Sequence, residues 1–219
     1  LLSTLFLARF LSVEEYGLLV YLENILGFIL LFNALGISNS IIKYCSQDIS
    51  LNEKRQYFIN ILIIGIGFDL LLFSITIISF LVVPFEFPNS GKYLLLMSLL
   101  PLLMFLFESI QFLLRSSFDN KKFSILSFIY TVLFVGLQIF FAMISGINGV
   151  IAGKYIALVL TIFLGLVIIS RFQIFKLKIV WFNKIKLIEI IKYGFSMMLS
   201  NMSSMLILII ETFLIAFLL

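Results

Sequence analysis

Apolar runs of about twenty residues, each long enough to cross roughly 30 Å of hydrocarbon as a helix, follow one another along the whole chain with only short polar breaks. A water-soluble domain must cover itself with polar side chains. Here 63% of the 219 residues are hydrophobic and 12% are charged, giving a mean hydropathy of +1.23. In a bilayer the same runs can close all their backbone hydrogen bonds internally as α-helices. The expected fold is therefore all-α, a polytopic transmembrane helical bundle. Its function must rest on the few polar residues that the helices carry inward.

Composition removes several chemistries. There is no histidine, so imidazole acid–base catalysis, Ser-His and Cys-His nucleophilic pairs and HExxH zinc sites are absent. The single cysteine, Cys45, cannot form an internal disulfide and reads as a small apolar residue at a helix end. No glycine-rich phosphate loop occurs, and no soluble region is large enough to bind a nucleotide. Neither an enzyme, a cofactor nor a metal site is expected. The basic residues are explained by topology rather than by nucleic acid.

One partial and six fuller helices are expected. The partial one covers about 1–11, and the others run near 18–43, 57–83, 93–115, 123–145, 150–170 and 193–219. The short opening stretch and the apolar close at Leu219 suggest a first helix truncated at its N-terminus and more chain beyond the end. Pro84 to Lys92 is a turn-rich break. The tight connection Gly146–Gly149 should make its flanking spans antiparallel neighbours. Twelve of the fifteen Lys and Arg residues fall in alternate loops: Lys43, Lys54, Arg55; Arg115, Lys121, Lys122; and Arg171, Lys176, Lys178, Lys184, Lys186, Lys192. The positive-inside rule puts those loops in the cytoplasm, so the first helix runs outward. The segment 171–192 mixes six of these cations with Phe172, Phe175, Trp181 and Phe182. It reads either as an amphipathic interfacial segment or as a basic loop that sets topology.

Four carboxylates fall within spans: Glu23, Asp69, Glu108 and Glu211. Each costs on the order of 2.5–3.5 kcal/mol at the bilayer centre and needs a reason to be there. Pro101, Glu108, Gln111 and Arg115 share one face of the fourth span. Pro101 should kink that helix. The stripe reads as the wall of a water-filled cavity or as a hydrogen-bonded seam. Weaker stripes are Gly65, Asp69, Thr76; Glu23, Gly27, Ala34; Asn201, Ser204, Glu211; and Ser127, Thr131, Gln138. Glu23 lies one to two turns from the outer end of its expected span, within snorkelling reach of water. Asp69 is nearer mid-membrane and must be protonated, paired or open to a lumen.

Two stretches carry a resemblance. The first holds Ala8-Arg9 ahead of a leucine, then Glu15-Tyr16-Gly17, Leu35-Gly36-Ile37 and Ile41-Ile42-Lys43-Tyr44. The second is Lys192-Tyr193-Gly194, which opens the last helix after the basic segment. The chain resembles the polysaccharide-export flippases, the Wzx-like branch of the superfamily that also holds MATE drug exporters and lipid II flippases. Ser12 and Val13 stand where that family usually has Gly-Pro, and Ser196 where it usually has proline. The resemblance implies a MATE-like N-terminal lobe over 1–170, a basic cytoplasmic linker over 171–192 and the first helix of a second lobe over 193–219. It implies a multi-pass protein of the cytoplasmic (inner) membrane that moves undecaprenyl-pyrophosphate-linked oligosaccharide, an O-antigen or capsule precursor, by alternating access. Coupling would be to H⁺ or Na⁺, and polysaccharide polymerase and glycosyltransferases would be partners beside membrane lipid. Arg9, Lys43, Arg115 and Lys154 would contact pyrophosphate or sugar, and Asp69, Glu108 and Glu23 would couple the ion. Two other readings stay open: a MATE-type exporter of organic cations, whose acidic cavity Asp69 and Glu108 would supply, and a non-transporting membrane scaffold.

Overall fold

A computed structural model describes residues 2–82, 89–170 and 182–218, with side chains over 6–80, 82, 89–170 and 182–204. The described backbone is helical, with no strand. The elements are α1 (Leu2–Phe10), α2 (Val13–Leu30), a 3-10 turn (Asn33–Gly36), α3 (Ser38–Cys45), α4 (Leu51–Val82), α5 (Ser90–Met97), α6 (Leu100–Ser116), α7 (Asn120–Ser170) and α8 (Lys184–Leu218). Among the described residues three helices are long and apolar enough to cross a membrane, or four if the bent pair α2 and α3 makes one span. The all-α membrane fold is as expected.

Local chemistry sets the ends. Ser12 takes an extended backbone and caps α2, its hydroxyl accepting the Glu15 N–H at 3.2 Å while the Glu15 carboxylate accepts the Ser12 N–H at 3.2 Å. This reciprocal pair satisfies two donors that the helix start leaves open, so Ser12 closes the turn by side-chain bonding. α2 therefore begins at Val13, five residues before the expected start, and Glu23 lies nearly three turns inside it. α4 likewise begins at Leu51 rather than 57. Pro101 occupies the first turn of α6. Its missing N–H cannot bond the carbonyl of residue 97, and the expected kink is a break between α5 and α6 at Ser98–Leu99.

The second span is not the continuous helix expected over 18–43. It stops at Leu30 and restarts at Ser38, with a bend of 42° between the halves. Ala34, Leu35 and Gly36 all have positive φ, at 43°, 47° and 69°, a run costly for two residues with a Cβ. α7 folds back on itself where Ser145 and Gly146 leave helical geometry. Its arms, 120–144 and 147–170, then pack antiparallel as expected. The contact is backbone to backbone: a Cβ at Gly149 would sit 1.8 Å from the Phe141 carbonyl oxygen, and one at Gly153 would sit 2.8 Å from the Gln138 nitrogen. Glu15 of α2 meets Gly146 at this turn, which puts at one end of the bundle two loops that the charge pattern assigns to the same side.

The core joins α2, α3, α4, α6 and α7 through Leu22, Ile41, Phe58, Ile61, Leu114 and Leu126, each at most 1% exposed. Outward faces are apolar: Leu70, Leu71, Ile75 and Ile78 on α4, and Phe128, Val132, Phe140 and Ile144 on α7 are all exposed. That belt would be unstable in water and suits lipid. α8 starts at Lys184 and runs without interruption past residue 193. Arg171, Phe172, Phe175, Lys176, Lys178, Trp181, the turn-rich run 83–88 and the Glu211 side chain lie outside the described residues.

Candidate functional site

The break in the second span creates the polar interior. α4, α6 and α8 all pack against its turn. Asp69 of α4 is 2% exposed, and one carboxylate oxygen accepts the Ala34 N–H at 2.6 Å. The expected pairing of Asp69 is thus with backbone, at the first left-handed residue of the break. Its second oxygen, Oδ2, and Asn33 Oδ1 are buried with no hydrogen-bond partner. Glu108 of α6 lies beside the same turn, on one cavity wall with Asn33 and Ser38.

A cavity of about 130 Å³ opens here, lined among others by Asn33, Ser38, Asn39, Glu108, Met198 and Asn201. Two asparagines come from the broken span and one from α8, so the cavity lies between α2, α3 and α6 on one side and α8 on the other. Glycines allow that approach. A Cβ at Gly36 would fall 2.6 Å from the Gly194 oxygen, and one at Gly194 would fall 2.8 Å from Ile37 Cα. The two sequence stretches that carry the family resemblance therefore touch at this point.

A second cavity of about 200 Å³ shares Leu30 and Met104 with the first. Lys154 and Glu23 meet on its wall, 2.7 Å apart. The Lys154 side chain is 6% exposed and that of Glu23 37%. Lys154 lies eight residues past the outer turn at Gly146 and Glu23 ten past the start of α2, so both are about 12–15 Å below the outer ends. The structure thus joins a residue expected to contact substrate with one expected to couple an ion. Glu23 meets its charge through Lys154 rather than by reaching the outer interface.

The remaining candidates separate. Arg9, at the end of α1, and Arg115, in the last turn of α6, are exposed at opposite ends of the bundle. Lys43, in the last turn of α3, lies 4.0 Å from the centroid of the Tyr193 ring. The polar stripe of α6 divides: Glu108 lines the cavity, whereas Gln111 donates to the Ser127 hydroxyl at 2.8 Å and forms a seam with α7. Thr131 and Gln138 bond carbonyls four residues back on their own helix, at 3.0 and 2.9 Å, so of that stripe only Ser127 reaches another helix.

Asn33, Ser38 and Asn39 were not among the candidates. They sit in a run that reads as the interior of one helix, and the signal available was Asn33 three residues before Gly36. Among the described residues no three His, Cys, Asp or Glu side chains converge as a metal site would require. The chemistry on offer is hydroxyl, amide and carboxylate, which suits hydrogen bonding to a polyhydroxylated ligand or handling of a proton or small cation.

A family model described as "Polysaccharide biosynthesis protein" matches residues 6–219. No curated protein and no solved structure matches the chain.

Proposed function

The chain belongs to the polysaccharide biosynthesis family, and from that premise we propose that it translocates lipid-linked oligosaccharide across the cytoplasmic membrane, as a transporter rather than an enzyme. A sugar-phosphate head group cannot cross hydrocarbon without a polar path. The observation that carries the reading is the cavity at the broken span, where Asn33, Ser38, Asn39, Glu108 and Asn201 supply donors and acceptors between two parts of the bundle. Broken helices lining a cavity are the form in which irregular backbone is tolerated at membrane depth.

Alternating access would use the two breaks. α2 and α3 bend by 42° at the left-handed turn, α5 and α6 are interrupted at Ser98–Leu99, and the cavity lies beside the first of these breaks. Asp69 holds the first break through the Ala34 N–H while its free oxygen stays buried. Loss or gain of a proton or cation there would change the only carboxylate bonded to that turn among the described residues. Asp69 and Glu108 are therefore the coupling candidates, with H⁺ or Na⁺ as the ion and an undecaprenyl-pyrophosphate-linked O-antigen or capsule unit as the cargo. Polymerase and glycosyltransferases would act on either side of this step.

The test depletes the protein in its host and follows lipid-linked oligosaccharide with a leaflet-specific label. Accumulation on the cytoplasmic leaflet, reproduced by Asp69→Asn and Glu108→Gln variants that still insert, is the expected result. Full activity in both variants refutes the coupling role. The acidic interior also suits export of organic cations. Unchanged glycan with increased sensitivity to cationic drugs would select that reading instead.

A further inference from the structure

The cytoplasmic ends of α3 and α8 enclose a groove that transport through the central cavity does not use. Its volume is about 430 Å³, and it is lined by Lys43, Tyr44, Glu189, Lys192, Tyr193 and Ser196. We propose that this groove binds the phosphate of a membrane lipid, with Lys43 and Lys192 as its cationic contacts. Its use by the translocated lipid rests on the function proposed above.

Charge is the first argument. Among the described residues the ion pairs are Lys122 with Asp119 and Lys154 with Glu23, so neither Lys43 nor Lys192 is neutralised by a carboxylate. Glu189 is the one acidic residue on the lining and stands one turn before Lys192. Lys186 lies one turn earlier again, its ammonium 5.1 Å from the Phe182 ring centroid and 5.7 Å from that of Tyr57. The local balance is three ammoniums to one carboxylate. The Lys43 ammonium rests on the Tyr193 face at 4.0 Å and near Tyr44 at 5.2 Å. A ring face attracts the cation but leaves N–H donors free for an anion.

Preorganisation is the second. Tyr44 stacks on Tyr57 at 5.1 Å and 2°, Tyr57 meets Phe182 at 4.5 Å, and Tyr44 meets Tyr193 edge-on at 6.4 Å. The Ser40 hydroxyl donates to the Ile190 carbonyl at 3.3 Å and ties α3 to α8 below the groove. The walls are therefore fixed before a ligand arrives, which lowers the ordering cost of binding. Depth is the third argument. The groove sits at the end of the bundle where lysine and arginine concentrate and where tyrosines form an interfacial belt, the level occupied by lipid phosphates. Two sources share this chemistry: the pyrophosphate of a lipid-linked glycan and the phosphodiester of an anionic phospholipid.

Native mass spectrometry of the full chain in detergent, titrated with farnesyl pyrophosphate or phosphatidylglycerol, reads the site directly. The double variant K43Q/K192Q should weaken at least one probe by about tenfold or more, the loss of one to two charge-assisted contacts. K121Q/K122Q removes the same charge from the cytoplasmic face outside the groove and should change binding less than about twofold. Should the first double variant fail to fold, Ser196→Trp fills the groove from an exposed position, keeps every charge, and should block the same probe. Loss of the pyrophosphate probe assigns the groove to the translocated lipid; loss of phosphatidylglycerol alone assigns it to a bilayer lipid. Equal weakening in both double variants, or none in either, overturns the site. The assay involves no translocation. Intact pyrophosphate binding with no leaflet defect on depletion would therefore refute the proposed function and leave the groove standing.

Discussion

Replacing Glu23 by glutamine should damage this protein more than replacing Lys154 by methionine, although each change removes the same ion pair. The partners touch at 2.7 Å but differ in environment, with 6% of the Lys154 side chain exposed and 37% of Glu23. Removing one partner of a fully buried pair costs about 3–5 kcal/mol, because the other is left as an uncompensated charge. Exposed pairs are worth only about 0–1 kcal/mol. Glu23→Gln strands the buried ammonium and belongs near the first limit, at about 2–4 kcal/mol. Lys154→Met leaves a carboxylate that opens on the cavity it lines, and the discount for exposure brings the cost to about 1–2 kcal/mol. The double variant E23Q/K154M leaves no charge stranded. It should fall well short of the sum of the single changes, with a coupling energy of about 1–3 kcal/mol. Equilibrium denaturant unfolding in detergent, followed by circular dichroism, measures all four corners of the cycle. Additive single effects within about 0.5 kcal/mol, or a larger loss from Lys154→Met, would refute the account of a buried cation held by a more accessible acid.

Two further changes test the backbone geometry. Gly149→Ala would push a Cβ to 1.8 Å from the Phe141 carbonyl oxygen, whereas Gly136 on the same helix has nothing within 4 Å of the equivalent position. Folded yield on size exclusion should drop sharply for the first, since overpacking against backbone costs about 1–3 kcal/mol or more, and stay at or above wild type for Gly136→Ala. Asp69→Leu should be less stable than Asp69→Asn by about 1–3 kcal/mol, because asparagine keeps an acceptor for the Ala34 N–H and leucine leaves it buried and bare. Equal unfolding midpoints for the two would remove Asp69 from its role at the break.

What the sequence disclosed and what it concealed divide along the range of the interactions involved. Helix identity and the turn at Gly146 follow from hydrophobic runs and from residues that act within one turn of themselves. Pro101 signals a kink, which the structure has as a break at Ser98–Leu99. The antiparallel hairpin needed only glycine on the inner face. The break at 31–37 is different. Its left-handed turn includes Ala34 and Leu35, residues that carry no local preference for positive φ. The helix stops there because Asp69, thirty-five positions later, accepts the Ala34 N–H, and because Gly194 brings a second backbone against Gly36. No window of neighbouring residues contains that information. The same reasoning explains the charges. Glu23 reads as a carboxylate close enough to the outer end to reach water, and Lys154 as a substrate contact only through the resemblance; the structure pairs the two across 131 positions. A carboxylate in a span signals only that some partner exists; the fold decides whether the partner is backbone, as for Asp69, a cation, as for Glu23, or a cavity, as for Glu108. Of the two coupling candidates, Glu108 lines the cavity at the broken span and Asp69 bonds the turn behind it, so a transport defect confined to Glu108→Gln would place coupling at the cavity wall rather than at the turn that Asp69 holds.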